Sequence, residues 1–211
     1  MSSEYYLQSV ELGRQFQKNN PEIWRGSDCK NYHNQIRYLM DKYNAKTVLD
    51  YGCGKGRQYT DEVSYGLDEG SATEPMNFKT RINADNVFLY DPCVEGIDQL
   101  PPEGTKFDAV ICTQVLGSIP DADMAWFKNL LMSYPTKFCF IGLFDPAEPV
   151  KSKKRMYDSK YVSYDRTIEW YKEQFKYWQG SNLYWWFRNS NTLGNNWYPL
   201  NKGYVKDENR I

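Results

Sequence analysis

The chain has 211 residues, enough for one α/β domain with a sizeable core and too few for two full ones. Its 26 basic and 27 acidic side chains leave a formal charge of −1, so a general electrostatic attraction to nucleic acid is not expected, and only a local basic patch would provide one. Met1 to Asn20 is polar and lacks the apolar stretch of a signal peptide, and the best apolar run, Phe138 to Phe144, is far too short to span a bilayer, so a cytoplasmic protein without membrane association is expected.

Residues Glu4 to Lys18 read as a helix carrying Tyr5, Leu7, Val10, Leu12 and Phe16, ended by Asn19-Asn20-Pro21. A short loop, Trp24-Arg25-Gly26-Ser27, leads to a second helix over Cys29 to Tyr43, with Tyr32, Ile36, Leu39 and Met40 at helical spacing. Thr47 to Tyr51 is a short apolar run closed by a glycine-rich turn, the pattern of a buried parallel strand feeding a helix. Gln58 to Asn86 is polar and without clear period, and predicts a short helix followed by a long irregular insertion. Val87 to Tyr90 is a second strand, ended by Asp91-Pro92; Phe107 to Thr113 is a third. Ala125 to Met132 reads as a helix, Phe138 to Phe144 as a fourth strand, Ile168 to Trp178 as a helix and Leu183 to Phe187 as a late strand. Strands alternating with helices predict an α/β fold: a Rossmann-like, doubly wound, mostly parallel sheet. The expected organisation is a single domain over 1–211, with a helical cap over 1–43 and a Rossmann-like core over 44–211.

The stretch Val48-Leu49-Asp50-Tyr51-Gly52-Cys53-Gly54-Lys55-Gly56 bears most directly on chemistry. An apolar strand ends in an acid, and glycines then fall at alternate positions. Glycine tolerates positive φ and lets the backbone approach a ligand closely. The turn stands at the carboxyl end of a strand, where ligands bind in open α/β sheets. The spacing differs from the Gly-x-Gly-x-x-Gly of dinucleotide folds, and Asp50 just ahead of it disfavours a pyrophosphate. A carboxylate suits a ligand with an ammonium group, as the methionine end of S-adenosylmethionine (SAM) has. A nucleotide-type turn for another ligand, or a purely structural turn, is the alternative.

This stretch resembles motif I of the class I SAM-dependent methyltransferases. Three further segments, Tyr90-Asp91-Pro92, Phe107 to Leu116 and Glu169 to Phe175, resemble small phage and bacterial members of that superfamily. Trp24-x-Gly26-Ser27 with Tyr32 and His33 is similar to a segment that closes over the cofactor there. The resemblance implies that Gly52, Cys53, Gly54 and Gly56 line the methionine end of SAM, with Asp50 accepting its hydrogen bonds directly or through water. It implies that Asp91 holds the ribose hydroxyls; a turn-initiating Asp before Pro92 is the other reading. Thr113, Gln114 and Val115 would sit beside the sulfonium, and Trp24 and Gly26 would close the site. Similar proteins read Thr-Asp-Val-Leu-Glu-His-Ile-Pro where this chain has Thr113-Gln114-Val115-Leu116-Gly117-Ser118-Ile119-Pro120, so the acid, the Glu and the His are replaced. Only residues 92–106 separate Asp91 from Phe107, so the usual intervening strand and helix are shortened or missing and the adenine pocket is unassigned.

A base is needed for methyl transfer only if the nucleophile must lose a proton. His33 is the sole histidine and a candidate base, or a partly buried structural residue on its helix. Asp145, after the fourth strand, either faces substrate or starts a turn before Pro146; Tyr32 and Tyr161 are further candidates. Lys151-Ser152-Lys153-Lys154-Arg155 reads as a solvated loop or a phosphate contact. Leu183-Tyr184-Trp185-Trp186-Phe187 is explained by core burial on a strand or by stacking on a planar substrate. The five cysteines form no CxxC pair, and with one histidine no zinc site of common type is expected; reduced thiols are the simpler reading. The expected function is a methyltransferase acting on a small molecule or metabolite. A non-catalytic SAM-binding partner or regulatory protein, and an RNA or nucleotide methyltransferase, are the alternatives. Substrate, methylated atom and oligomeric state are not readable from the residues.

Overall fold

A computed structural model describes residues 2–66, 72–144, 166, 168–175, 182–188 and 197–199. Helix α1, Glu4–Asn19, starts where Ser3 accepts the Tyr6 N–H at 3.1 Å, with Glu4 in the first turn and Lys18 in the last, as the helix dipole favours. Asp123 fixes this cap from another part of the chain, accepting the Ser3 N–H and hydroxyl at 2.6 Å each. The expected second helix begins as a 3₁₀ segment, Asp28–Tyr32, and becomes α2 only over His33–Lys42. Strand β1 is Thr47–Tyr51, followed by a 3₁₀ turn over Arg57–Tyr59. Residues expected to be irregular contain a short helix, α3 (Phe78–Arg81), capped by the Asn77 side chain, and an antiparallel bridge between Val63 and Met76. Strands β2 (Asn86–Tyr90) and β3 (Phe107–Thr113), helix α4 (Met124–Ser133), strand β4 (Pro135–Phe144), helix α5 (Ile168–Phe175), and strands β5 (Asn182–Arg188) and β6 (Trp197–Pro199) complete the order.

The strands form one sheet in the order β2-β1-β3-β4-β5-β6. The first five are parallel; β6, which the sequence pattern did not reveal, pairs antiparallel on the edge. Both faces are buried, so alternate strand residues enter different cores. Leu49, Val110, Cys112, Cys139, Ile141, Leu183 and Trp185 face one side, with α1, α4 and α5. Val48, Ala109, Ile111, Phe138, Phe140, Tyr184 and Trp186 face the other, with α2 and α3. Helix α2 covers the sheet through Ile36, Leu39 and Met40. Tyr184, Trp185 and Trp186 are buried by the same alternation, which assigns them to packing.

The chain leaves β1 to β2 on one side and returns to β3 on the other. The switch point thus falls at the carboxyl ends of β1 and β3, where ligands bind in sheets of this kind. Residues 50–58 and 113–115 meet there. No helix among the described residues is long and apolar enough to cross a membrane.

Candidate functional site

The glycine turn after β1 is held by backbone geometry that side chains would prevent. Gly52, Gly54 and Gly56 all have positive φ. A Cβ on Gly54 would lie 2.5 Å from the Trp24 carbonyl oxygen, and one on Gly52 would lie 2.1 Å from Val115 Cγ2. The glycines are thus required first for the turn's own closure against residues 24–26 and Val115. A Cβ on Gly26, also at positive φ, would lie 2.0 Å from Cys53 O, so the Trp24–Gly26 loop and the glycine turn are pressed backbone to backbone.

Every N–H from Gly52 through Gln58 has a partner. Gly52 and Cys53 donate to Tyr90 O, Lys55 to Trp24 O, Gly56 to Cys53 O, Arg57 to Arg25 O and Gln58 to Gly26 O. Gly54 donates to Asp91 Oδ2 at 2.8 Å. A phosphate bound at such a turn needs inward-facing amide donors. Here the donors are engaged by protein oxygens, and what the turn offers a ligand is acceptors.

Asp50 is fully buried at the end of β1. Its Oδ2 accepts Gln58 Nε2 at 2.8 Å and the Tyr59 hydroxyl at 2.9 Å, and the Cys29 thiol lies 3.8 Å away. Among the described residues, its Oδ1 has that thiol alone as a hydrogen-bond partner, at 4.0 Å. Burial pushes the carboxyl up to about 7, against the Tyr59, Gln58 and Cys29 hydrogen bonds that pull it down. Cys29 also meets Thr113 Oγ1 at 3.4 Å, and its N–H donates to Gln58 Oε1 at 3.2 Å. Burial raises the Cys29 thiol as well, so it stays protonated and serves as a donor. One buried network thus joins the 3₁₀ segment before α2, β1, the turn after it and the end of β3.

Asp91 extends the site across β2. Besides Gly54, its carboxylate accepts the Cys93 N–H at 2.9 Å through Oδ1, so the turn role is realised. Each oxygen keeps a lone pair for a further donor. Burial is the main cause of its raised pKa. Helix α1 lies over this turn: Arg14 donates to Pro92 O at 2.8 Å and pairs with Asp98 at 3.0 Å, and the Cys93 thiol points to Val10 O.

The segment after β3 is also constrained. Gln114 is in the left-handed region at φ +61°, unusual for a residue with a side chain. Its N–H bonds Gly142 O at 2.8 Å and its amide donates to the Tyr32 hydroxyl at 2.9 Å. The next turn is gripped by Arg166, which donates to Leu116 O and Ile119 O, pairs with Asp121 and stacks on Trp170.

The expected site residues Asp50, Gly52, Cys53, Gly54, Gly56, Asp91, Thr113, Gln114, Val115, Trp24 and Gly26 therefore converge on the switch point. His33 takes another direction: its Nδ1 accepts Arg81 Nε at 3.0 Å, and its ring lies 5.1 Å from that of Tyr65. Asp145, Tyr161 and Lys151 to Arg155 lie outside the described residues. Sequence reasoning missed Cys29, Gln58, Tyr59 and Arg166. Among the described residues no His, Cys, Asp and Glu group is arranged to hold a metal ion.

A family model for a methyltransferase domain matches residues 23–192. No curated protein and no solved structure gives a significant match.

Proposed function

Because this chain belongs to the methyltransferase domain family, within the class I SAM-dependent superfamily, we propose that it transfers the methyl group of SAM to a small molecule or metabolite. The observation that carries the cofactor assignment is Asp50 Oδ1, a buried carboxylate oxygen beside the glycine turn whose hydrogen-bond partner among the described residues is a thiol at 4.0 Å. An ammonium group would supply the missing donors and restore the ionised carboxylate. The turn's fully engaged N–H groups argue in the same direction, against a phosphate.

SAM, when bound, supplies a methyl on a sulfonium that is already a good leaving group. The residues of this chain have to position it and exclude water. Asp50 would hold the amino group and Asp91 the ribose hydroxyls, while Thr113, Gln114 and Val115 would border the sulfonium. The strained backbone of Gln114, tied to Gly142 and Tyr32, suits a residue whose side chain must keep one orientation. His33 is poorly disposed as a base: the arginine on Nδ1 leaves the neutral ring's proton on Nε2. The acceptor should then need little help in losing a proton, as a sulfur, an ionised oxygen or a neutral nitrogen would. With a net charge of −1, a small acceptor is favoured over a nucleic acid.

A second reading, a SAM-binding partner or regulator without catalysis, is favoured by Gly117 and Ser118, which stand where the resemblance to motif-bearing methyltransferases would imply Glu and His. Chromatographic detection of S-adenosylhomocysteine over a panel of thiol, phenol, carboxylate and amine acceptors separates the two. Turnover supports the transferase; tight SAM binding without turnover supports the binder; no SAM binding in calorimetry refutes both.

A further inference from the structure

Gln114 follows directly on β3, and both of its chain neighbours touch the elements that the SAM reading assigns to the methionine end. Thr113 Oγ1 meets the Cys29 thiol at 3.4 Å, beside Asp50. Val115 fills the space that a side chain on Gly52 would need, its Cγ2 lying 2.1 Å from where that Cβ would stand. Between them, the left-handed backbone of Gln114 at φ +61° breaks the alternation of the strand, and its side chain reaches to Tyr32, where Nε2 donates to the hydroxyl at 2.9 Å. Tyr32 is a fixed partner. It is buried, its ring lies edge-on to Phe140 with centroids 5.5 Å apart, and a Cβ on Gly142 would come within 2.8 Å of it.

Tethered by Gly142 O at its N–H and by Tyr32 at its Nε2, Gln114 has one polar side-chain atom left to offer a ligand. Its Oε1 has no hydrogen-bond partner among the described residues, and the residue is only half-buried. Among those residues the buried side-chain atoms without a partner are Gln17 Nε2 and the Tyr65 hydroxyl, so the Gln114 oxygen keeps access to solvent. An amide oxygen only accepts. That distinguishes the three acceptor types a site without a strong base can use. A thiolate or a phenolate brings no hydrogen to this oxygen, and its negative charge is repelled by the carbonyl dipole. A neutral amine brings a lone pair for the methyl and an N–H for Gln114.

We infer that Gln114 is a specificity-determining residue for a neutral amine: its Oε1 accepts an N–H of the nitrogen that receives the methyl group. The inference rests on the SAM reading above and names the acceptor class within it. The nitrogen lone pair forms the N–C bond, the C–S bond breaks with its electron pair going to sulfur, and the extra proton on the nitrogen leaves to water. Positive charge grows on the nitrogen as the bond forms. The N–H···O=C bond to Gln114 therefore becomes charge-assisted and is stronger in the transition state than before it, which is the condition for an interaction to speed the reaction.

Sinefungin carries an amino group where SAM carries the S-methyl, and so sets an N–H donor on the path to the acceptor; S-adenosylhomocysteine sets nothing there. Calorimetric titration of the full chain with each tests the inference. The parent should bind sinefungin more tightly than S-adenosylhomocysteine by roughly tenfold, the contribution of one hydrogen bond from a charged donor. Gln114→Met, with the same unbranched shape, should erase that difference while changing the Kd of S-adenosylhomocysteine by less than about threefold. Gln114→Glu keeps an acceptor for the amine and takes the Tyr32 O–H as its donor, so it should retain or widen the preference. Equal losses for both ligands in Gln114→Met, or a parent with no preference for sinefungin, overturn the inference and leave the SAM reading standing. Turnover of thiols or phenols but not of amines in the acceptor panel does the same. A parent that binds neither SAM nor S-adenosylhomocysteine removes the SAM reading, and this inference with it.

Discussion

Asp50→Asn separates what this carboxylate does for the fold from what it does for a ligand. Burial lifts the folded-state pKa from 3.8 to about 7. A folded value above the unfolded one means that the folded chain keeps a proton the unfolded chain has released. This group's contribution to stability therefore falls as pH rises from about 4, and the whole penalty is in place above pH 7. A rise of that size corresponds to roughly 4 kcal/mol. Asparagine keeps an oxygen to accept Gln58 and Tyr59 and carries no charge to desolvate. In urea unfolding without ligand, the Asp50→Asn protein should match the parent near pH 3, below the unfolded value, pull ahead as pH rises through 4 to 7, and exceed it at pH 8 by up to about 4 kcal/mol. SAM affinity should behave oppositely. In the parent it should increase from about pH 6 to 8 as the carboxylate ionises to meet an ammonium, and in the variant it should be weak and flat. A variant destabilised equally at both pH values would refute the reasoning, since the ionised carboxylate would then be serving the fold.

Three shorter tests bear on the remaining site residues. Gly54→Val should abolish SAM binding in calorimetry and lower Tm, because its φ is +56° and the Trp24 carbonyl occupies the space. Asp91→Ala should weaken SAM binding by about 1–3 kcal/mol and also reduce stability, since Gly54 and Cys93 lose their acceptor; normal affinity with only a thermal effect would confine Asp91 to its turn role. His33→Ala should lower stability by about 1–3 kcal/mol through the lost Arg81 and Tyr65 contacts. Turnover of any acceptor found should hold in that variant; a roughly hundredfold fall with intact SAM binding would restore His33 as the base.

What could be read from the residues follows the range of the forces involved. Strand β3 was legible to its end residues because Phe107–Thr113 is largely apolar and bounded by polar turns. The glycine turn was legible because left-handed backbone demands glycine, and that demand is local. Its function as a closure against residues 24–26 was not, since the Trp24 carbonyl that excludes a side chain at Gly54 belongs to a loop much earlier in the chain. Similarly, the donors that hold Asp50 come from Cys29, Gln58 and Tyr59, none of which has any periodicity or motif to mark it. Arg166 reads as an ordinary surface cation until the turn at 116–121 is seen to present two carbonyls and a carboxylate to it. The motif residues thus announce where a ligand should bind. The unmarked residues decide which oxygen of Asp50 is left without a close donor, and from that follows the kind of ligand the site can satisfy.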